Sequence, residues 1–279
     1  MQYILLALVV IFVSLQQIIQ KQYNAKEKNP DALLFSGLSS LTAMVFFVIS
    51  SGFKLNFNAA ILPYSIGFAL AYCAAGVGLV LALKHGSLAI SSLVISYSLI
   101  IPALYGVIFL KESLSAFGYV GIVLLLISLF LLNAKKEQFG FSWKWLVFIL
   151  LAFVGNGMCS TIQKMQQLKF NGGFKNEFMI IALIFAGIAM LAAAFVQGGG
   201  KNRLPVKYAV PNGLCNGIVN LLVMVLTGLI PNAVLFPSIS AGGIALSCLT
   251  AIFLFKEKLG KMQAAGYIIG IISVVLLNL

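Results

Sequence analysis

Phe109-Leu110-Lys111-Glu112-Ser113-Leu114 is followed by Gly121 and then by Leu131-Leu132-Asn133. Leu254-Phe255-Lys256-Glu257-Lys258-Leu259 is followed by Gly266 and then by Leu276-Leu277-Asn278. Each of these pairs stands 145 residues apart. A second echo, Gln20-Lys21 against Gln163-Lys164, lies at 143, the small difference that a loop insertion produces. The chain therefore reads as one unit written twice.

The unit is made for lipid. Apolar residues are 61% of the chain and charged residues 9%, with a mean hydropathy of +1.07. A soluble domain carries about 45–50% apolar and about 25% charged residues. A spanning helix needs roughly 17–25 mostly apolar residues. Ten segments qualify, near 2–20, 32–52, 61–83, 88–110, 115–133, 144–163, 177–197, 208–228, 233–255 and 261–278. Backbone groups in hydrocarbon must be paired internally, and the alternating strands of a barrel are absent from the sequence. The expected fold is all-α and integral to the membrane. It comprises a first five-helix repeat over 1–134, a connecting loop over 135–142 and a second repeat over 143–279. An odd number of helices per copy turns the second copy upside down.

The net charge of +12 does not point to nucleic acid, because the lysines lie between the hydrophobic runs. They read as loop charges and snorkelling anchors, and Lys21, Lys84 and Lys164 at helix ends read the same way. Arg203 is the single arginine and falls in a loop, so no bidentate phosphate or carboxylate clamp is available within the spans. Cys73, Cys159, Cys215 and Cys248 occupy four different apolar runs without CxxC spacing, which argues against disulfides and zinc. The first run lacks a basic leader and a cleavage pattern and reads as a retained helix. Trp143 and Trp145 fit an interfacial belt. Thirteen of the 18 Lys and Arg follow helices 1, 3, 5, 7 and 9, which places both termini outside.

Ten helices in two halves, each with a Glu just after its fourth helix, resemble the drug/metabolite transporter (DMT) superfamily in its EamA-like branch. The resemblance is carried by Lys84-His85-Gly86-Ser87-Leu88-Ala89, by Lys111-Glu112-Ser113-Leu114 with Gly121, and by Lys256-Glu257-Lys258-Leu259 with Gly266. It extends over essentially the whole chain. It implies secondary transport of small organic solutes through a central cavity lined by helices 1, 3, 4, 6, 8 and 9. Helices 5 and 10 would be peripheral, both termini would lie inside, and the setting would be the cytoplasmic membrane of a bacterium. Pro102 stands about three residues later than the family's usual proline, and helix 9 offers Pro237 with Gly242-Gly243.

Polar residues within spans are costly and mark function by default. All six acids, Glu27, Asp31, Glu112, Glu137, Glu177 and Glu257, fall in loops or at helix ends. A carrier that alternates proton and cation on one mid-membrane carboxylate is therefore not expected. Glu112 and Glu257 read as caps or partners of nearby lysines, and His85 as incidental. Amides and hydroxyls form stripes instead. Asn156, Ser160, Gln163 and Gln167 share one face of helix 6, and Gln17, Gln20 and Asn24 the matching face of helix 1. Asn212, Asn216 and Asn220 follow at steps of four on helix 8, Ser65, Tyr72 and Gly76 on helix 3, and Ser96 and Tyr97 on helix 4. The expected cavity lining is Gln17, Gln20, Tyr72, Ser96, Tyr97, Asn156, Ser160, Gln163, Asn216 and Asn220. Interhelical hydrogen bonding, worth roughly 0.6 kcal/mol per contact, is the structural alternative. Amides both donate and accept, so the lining suits a neutral polar or zwitterionic solute. No catalytic set, metal or cofactor is expected, and an enzyme is disfavoured. A lipid or lipid-linked flippase is the alternative function. Gly266-x-x-x-Gly270 serves internal packing or, alternatively, a homodimer contact.

Overall fold

The computed structural model describes residues 2–27, 30–83, 85, 91, 94–95, 97–113, 115–133, 142–198, 204–253 and 260–277. Ten α-helices lie among them. They are α1 (Gln2–Lys26), α2 (Ala32–Ser50), α3 (Leu62–Leu83), α4 (Ile100–Phe109), α5 (Ala116–Asn133), α6 (Trp143–Lys169), α7 (Lys175–Val196), α8 (Val206–Leu226), α9 (Asn232–Phe253) and α10 (Lys261–Leu277). The 135–141 part of the connecting loop, Lys84, Gly86–Ala89, Ser96, Arg203, the 254–259 motif including Glu257, and Asn278 lie outside the described residues. Among the described residues, six helical stretches are long and apolar enough to cross a membrane, in α1, α2, α3, α6, α7 and α8. Shorter apolar stretches run over Tyr97–Phe109 and Ala116–Ser128.

Two helices outrun the expectation. α1 continues to Lys26 and α6 to Lys169, past the amides that read as span ends. Long side chains such as Gln and Lys are good helix formers. Local chemistry sets other boundaries. Asp31 Oδ1 accepts from Leu33 N–H and Leu34 N–H, both at 3.0 Å, and caps α2. The Asp31 N–H donates to the Tyr23 hydroxyl at 2.8 Å, and the Tyr23 ring stacks on Phe35 at 4.8 Å, fastening α1 to α2. α9 runs unbroken through Pro237, so that proline is absorbed as an ordinary interior proline. The interruption in the first half is a 3-10 turn at Tyr97–Leu99, and Pro102 falls in the first turn of α4, where a missing N–H costs little.

The helices pack in a regular scheme. α3 lies against α6, α1 against α8, α2 against both α7 and α8, and α3 against α7. α4 and α1 both meet α9, α4 also meets α6, and α5 pairs with α10. Phe47, Phe68, Phe178, Met179, Leu183 and Met224 form the largest buried cluster, shared by α2, α3, α7 and α8. Val9, Val223, Leu226, Leu235 and Phe236 join α1, α8 and α9. Trp145 departs from the belt expectation. It is buried and donates Nε1–H to Ser91 Oγ at 3.0 Å, whereas Trp143 is 72% exposed. Ser128 Oγ donates to the Gly266 carbonyl at 2.7 Å, so this end of the Gly266-x-x-x-Gly270 pattern packs internally, against α5. Large apolar side chains such as Phe130, Val123, Ile268 and Val275 lie exposed on α5 and α10. In water such a surface would be a liability; in lipid it costs nothing.

The α3–α6 contact depends on a glycine. A Cβ on Gly155 would come within 2.6 Å of both the Ala71 carbonyl and the Ala75 amide. Gly155→Val is expected to lower the melting temperature in detergent, because overpacking costs about 1–3 kcal/mol. Gly67→Ala, whose Cβ would meet Ile162 at an ordinary 3.5 Å, should leave it unchanged. Equal melting temperatures for the two variants would contradict the packing.

Candidate functional site

A cavity of about 460 Å³ lies between α1, the segment preceding α4, α6 and α9. α1 contributes Val13, Gln16, Gln17 and Gln20. The segment before α4 contributes Ile95, Ser98 and Leu99. α6 gives Asn156, Gly157 and Ser160, and α9 gives Phe236, Ile239 and Ser240. None of these side chains is charged. Pockets for small ligands run from about 300 to 1,000 Å³ and are mostly apolar with a few placed polar groups. This one is richer in amides and hydroxyls than that.

The lining is held by close helix contacts. A Cβ on Gly157 would meet the Ser98 carbonyl at 2.8 Å, so α6 runs directly against the turn before α4. Across that contact Asn156 Nδ2 donates to Ser98 Oγ at 2.6 Å. Gly242 brings α9 onto Val10 of α1, where a Cβ would lie 2.7 Å from a valine methyl.

Accessibility falls along one face of α6. Asn156 is exposed, Ser160 is half-buried and Gln163 is 3% exposed. The residues beneath Ser160 close on one another. Gln163 Nε2 donates to Asn220 Oδ1 at 2.7 Å, and Asn220 Nδ2 donates to Asn216 Oδ1 at 3.0 Å. Gln167 Nε2 donates to Gln166 Oε1. On the opposite side of the cavity Gln17 and Gln20 are exposed. At the level of Gln20 the lining is thus exposed, and beneath Ser160 it is buried and hydrogen-bonded to itself.

The expected lining divides accordingly. Gln17, Gln20, Asn156 and Ser160 come together in the cavity. Gln163, Asn216 and Asn220 form a hydrogen-bonded chain beside its closed end. Tyr72 lies on α3 in the large apolar cluster, near Ser40 of α2, and Tyr97 donates its hydroxyl to the Leu126 carbonyl at 2.9 Å. Ser96 lies outside the described residues. Asn212 bonds Ser39 Oγ at 3.1 Å, the interhelical role that packing alone explains. Gln16, Ser98 and Ser240 were not singled out from sequence. Ser240 had a signal, since it follows Ser96 by 144 residues, within one of the repeat spacing.

Below the closed end lies an ion pair. Lys164 Nζ is 3.3 Å from Glu112 Oε1, with side chains 7% and 11% exposed. Lys164 also donates to the Thr227 carbonyl at 2.6 Å. Glu112 Oε2 accepts from the Ala233 N–H at 3.2 Å, at the N-terminus of α9, where the helix dipole favours an anion. Lys164 is therefore a buried partner rather than a snorkelling anchor; the Glu112 carboxylate and the Thr227 carbonyl compensate the desolvation that drives snorkelling. Glu112 takes the capping and pairing role expected of it. The backbone makes this reach. Lys111 adopts φ +54, a left-handed conformation that costs a non-glycine residue about 1–2 kcal/mol. The chain reverses there, and Glu112 N–H returns to the Gly106 carbonyl at 3.0 Å. The Glu112 carboxylate rests on Gly106, where a Cβ would collide with it. Asn232 is fully buried beside them, and neither of its amide atoms has a hydrogen-bond partner.

No protein-family model matches this chain, and no curated protein matches it. A solved structure described only as "Crystal structure of protein" superposes with a TM-score of 0.78 over 98% of this chain and 98% of that one, at 15% identity. That likeness concerns the fold.

The buried pair makes a direct prediction. Lys164→Met strands a carboxylate and should cost about 3–5 kcal/mol. Adding Glu112→Gln should recover most of the loss, since a glutamine carbonyl still accepts from Ala233. Thermal melts of the two variants in one detergent read this; an equally unstable double variant would contradict it.

Proposed function

We propose that this chain is a secondary transporter of the EamA-like kind, carrying a small polar or zwitterionic organic solute by alternating access. Its two five-helix halves, residues 1–134 and 143–279, are related by inversion in the membrane, and the cavity between them is the solute site. Gln17, Gln20, Asn156 and Ser160 contact the solute, with Ser98 and Ser240 beside them. The proposed setting is a multi-pass position in a bacterial cytoplasmic membrane.

The observation that carries the reading is an inequality between matched residues. Val13, Gln17 and Gln20 of α1 correspond to Asn156, Ser160 and Gln163 of α6 at the repeat spacing of 143. Five of the six line the cavity, Gln20 is exposed, and Gln163 is 3% exposed. An inverted pair of halves puts these two glutamines toward opposite faces. One open and one shut is the pattern of a carrier stopped in one of its two states.

Helix pairing supports the same reading. Exchanging each helix of one half with its counterpart turns α3–α6 into α8–α1, α2–α8 into α7–α3, and α4–α6 into α9–α1. Each of these contacts occurs. The contacts α2–α7, α4–α9 and α5–α10 map onto themselves and also occur. Uncharged amides that donate and accept replace water around amino, hydroxyl or carbonyl groups without favouring either sign of charge.

A thermal-shift screen of the purified protein against amino acids, nucleosides, sugars and quaternary amines tests this. A ligand at 100 times its dissociation constant stabilises by about 2.7 kcal/mol. One solute class should raise the melting temperature and enter proteoliposomes. Asn156→Leu should abolish both effects, with the unliganded melting temperature lowered only by the loss of the bond to Ser98, about 1–3 kcal/mol. Scrambling of a headgroup-labelled lipid without flux of any solute would overturn the proposal.

A further inference from the structure

Lys164 of the ion pair and Asn232 beside it each lie one helical turn from a cavity residue, on two different helices. Ser160 lines the cavity and Lys164 follows it by four residues on α6. Phe236 lines the cavity and Asn232 precedes it by four on α9. One turn of helix is about 5.4 Å. Lys164, Glu112 and Asn232 therefore lie together beneath the closed end of the cavity, beyond the Gln163–Asn220–Asn216 chain.

Those three residues are buried together, two of them partnered and one not. The charges are nine-tenths buried and compensated by each other, by the Thr227 carbonyl and by the Ala233 amide. Asn232 is 0% exposed, with its amide donor and acceptor both unpartnered. Buried polar groups are nearly always paired, and an exception calls for an explanation. A group left unpaired in one state and satisfied in another supplies one.

We propose that Lys164, Glu112 and Asn232 form a second, occluded polar subsite, closed by the Lys164–Glu112 pair, that takes the opposite charges of a zwitterionic solute when the pair parts. The inference rests on the transport reading and narrows its solute class. Parting the pair strands an ammonium and a carboxylate in apolar surroundings, and breaking such a pair by removing one partner is strongly unfavourable. An anionic solute satisfies Lys164 and abandons Glu112; a cationic one does the reverse. A solute with both charges replaces the pair charge for charge, and Asn232 supplies a donor and an acceptor to the rest of the headgroup. Neutral solutes bind the upper cavity and do not open the floor.

A reporter cysteine at Ala233 tests this, because Ala233 is 0% exposed and its N–H bonds Glu112. Ala233→Cys is placed in a chain whose four native cysteines are alanine, reconstituted in lipid, and its labelling rate by a membrane-impermeant maleimide is followed. Lys164→Met with Glu112→Gln should accelerate labelling at least tenfold. Gly106→Ala should accelerate it too, because the new methyl unseats the Glu112 carboxylate without removing a charge. Folding of each variant is checked by its melting temperature. Unchanged rates in folded variants would overturn the closure. With the native pair, a mixture of free amino acids should accelerate labelling several-fold, while the matched N-acetyl amino acid amides should not. Equal acceleration by the two mixtures, or none by either, would overturn the zwitterion subsite. Ser240→Cys separates these failures from failure of the transport reading. If that cavity residue is labelled from neither face, the solute pathway is wrong; if it is labelled from one face while Ala233→Cys fails, only the subsite is wrong.

Discussion

Hydrocarbon leaves a polar side chain two fates, to find a partner within the protein or to face enclosed water. This chain divides its amides and hydroxyls between the two along single helix faces. On α6 the division falls between Ser160 and Gln163, less than one turn apart. Above it, Asn156 and Ser160 face a cavity. Below it, Gln163, Asn220 and Asn216 consume one another's hydrogen-bonding capacity, and Lys164 and Glu112 consume each other's charge. The rest of the bundle serves that boundary. Glycines at 155, 157 and 242 bring helices close enough to shape the walls, and the left-handed turn at Lys111 turns Glu112 back under the floor.

The repeated Lys-Glu dipeptide gains a physical meaning from this geometry. In the first copy the lysine is the turning residue and the glutamate is the cap of another helix. Neither side chain is merely a loop charge. Strain at Lys111 is offset by the bonds Glu112 then makes to Ala233 and Lys164. The cost of burying one carboxylate is thus spread over α6, the end of α8 and the start of α9, and tightness at one place depends on the position of all three.

Much of this was legible in the sequence, for reasons that can be named. The all-helical class and the positions of six long apolar helices follow from apolar runs broken by short polar links, whereas the ends of α1, α4 and α6 do not. The α6 stripe follows from its period, and the match of Gln20-Lys21 to Gln163-Lys164 follows from the repeat spacing. What period cannot report is depth. Asn156 and Gln167 share a face, yet one is exposed and the other is buried with its amide bonded to Gln166. Lys164 misled for a related reason. A lysine near a helix end snorkels when water is the nearest polar phase, and here a carboxylate 52 residues earlier in the chain is nearer. Trp145 found Ser91 before it could find an interface, and Tyr72 and Tyr97 were spent on packing and on a carbonyl of α5.

The account turns on whether Asn156 faces water while its neighbours on the same helix face acyl chains. Val154 is 49% exposed and Asn156 is also exposed, so exposure alone cannot tell the two environments apart. Spin labels placed singly at these two positions in lipid bilayers can. The account predicts that collisions with a water-soluble nickel chelate dominate at 156 and collisions with molecular oxygen dominate at 154. Oxygen-dominated relaxation at both would mean that the amide stripe faces lipid, and a polar cavity between two halves could not stand.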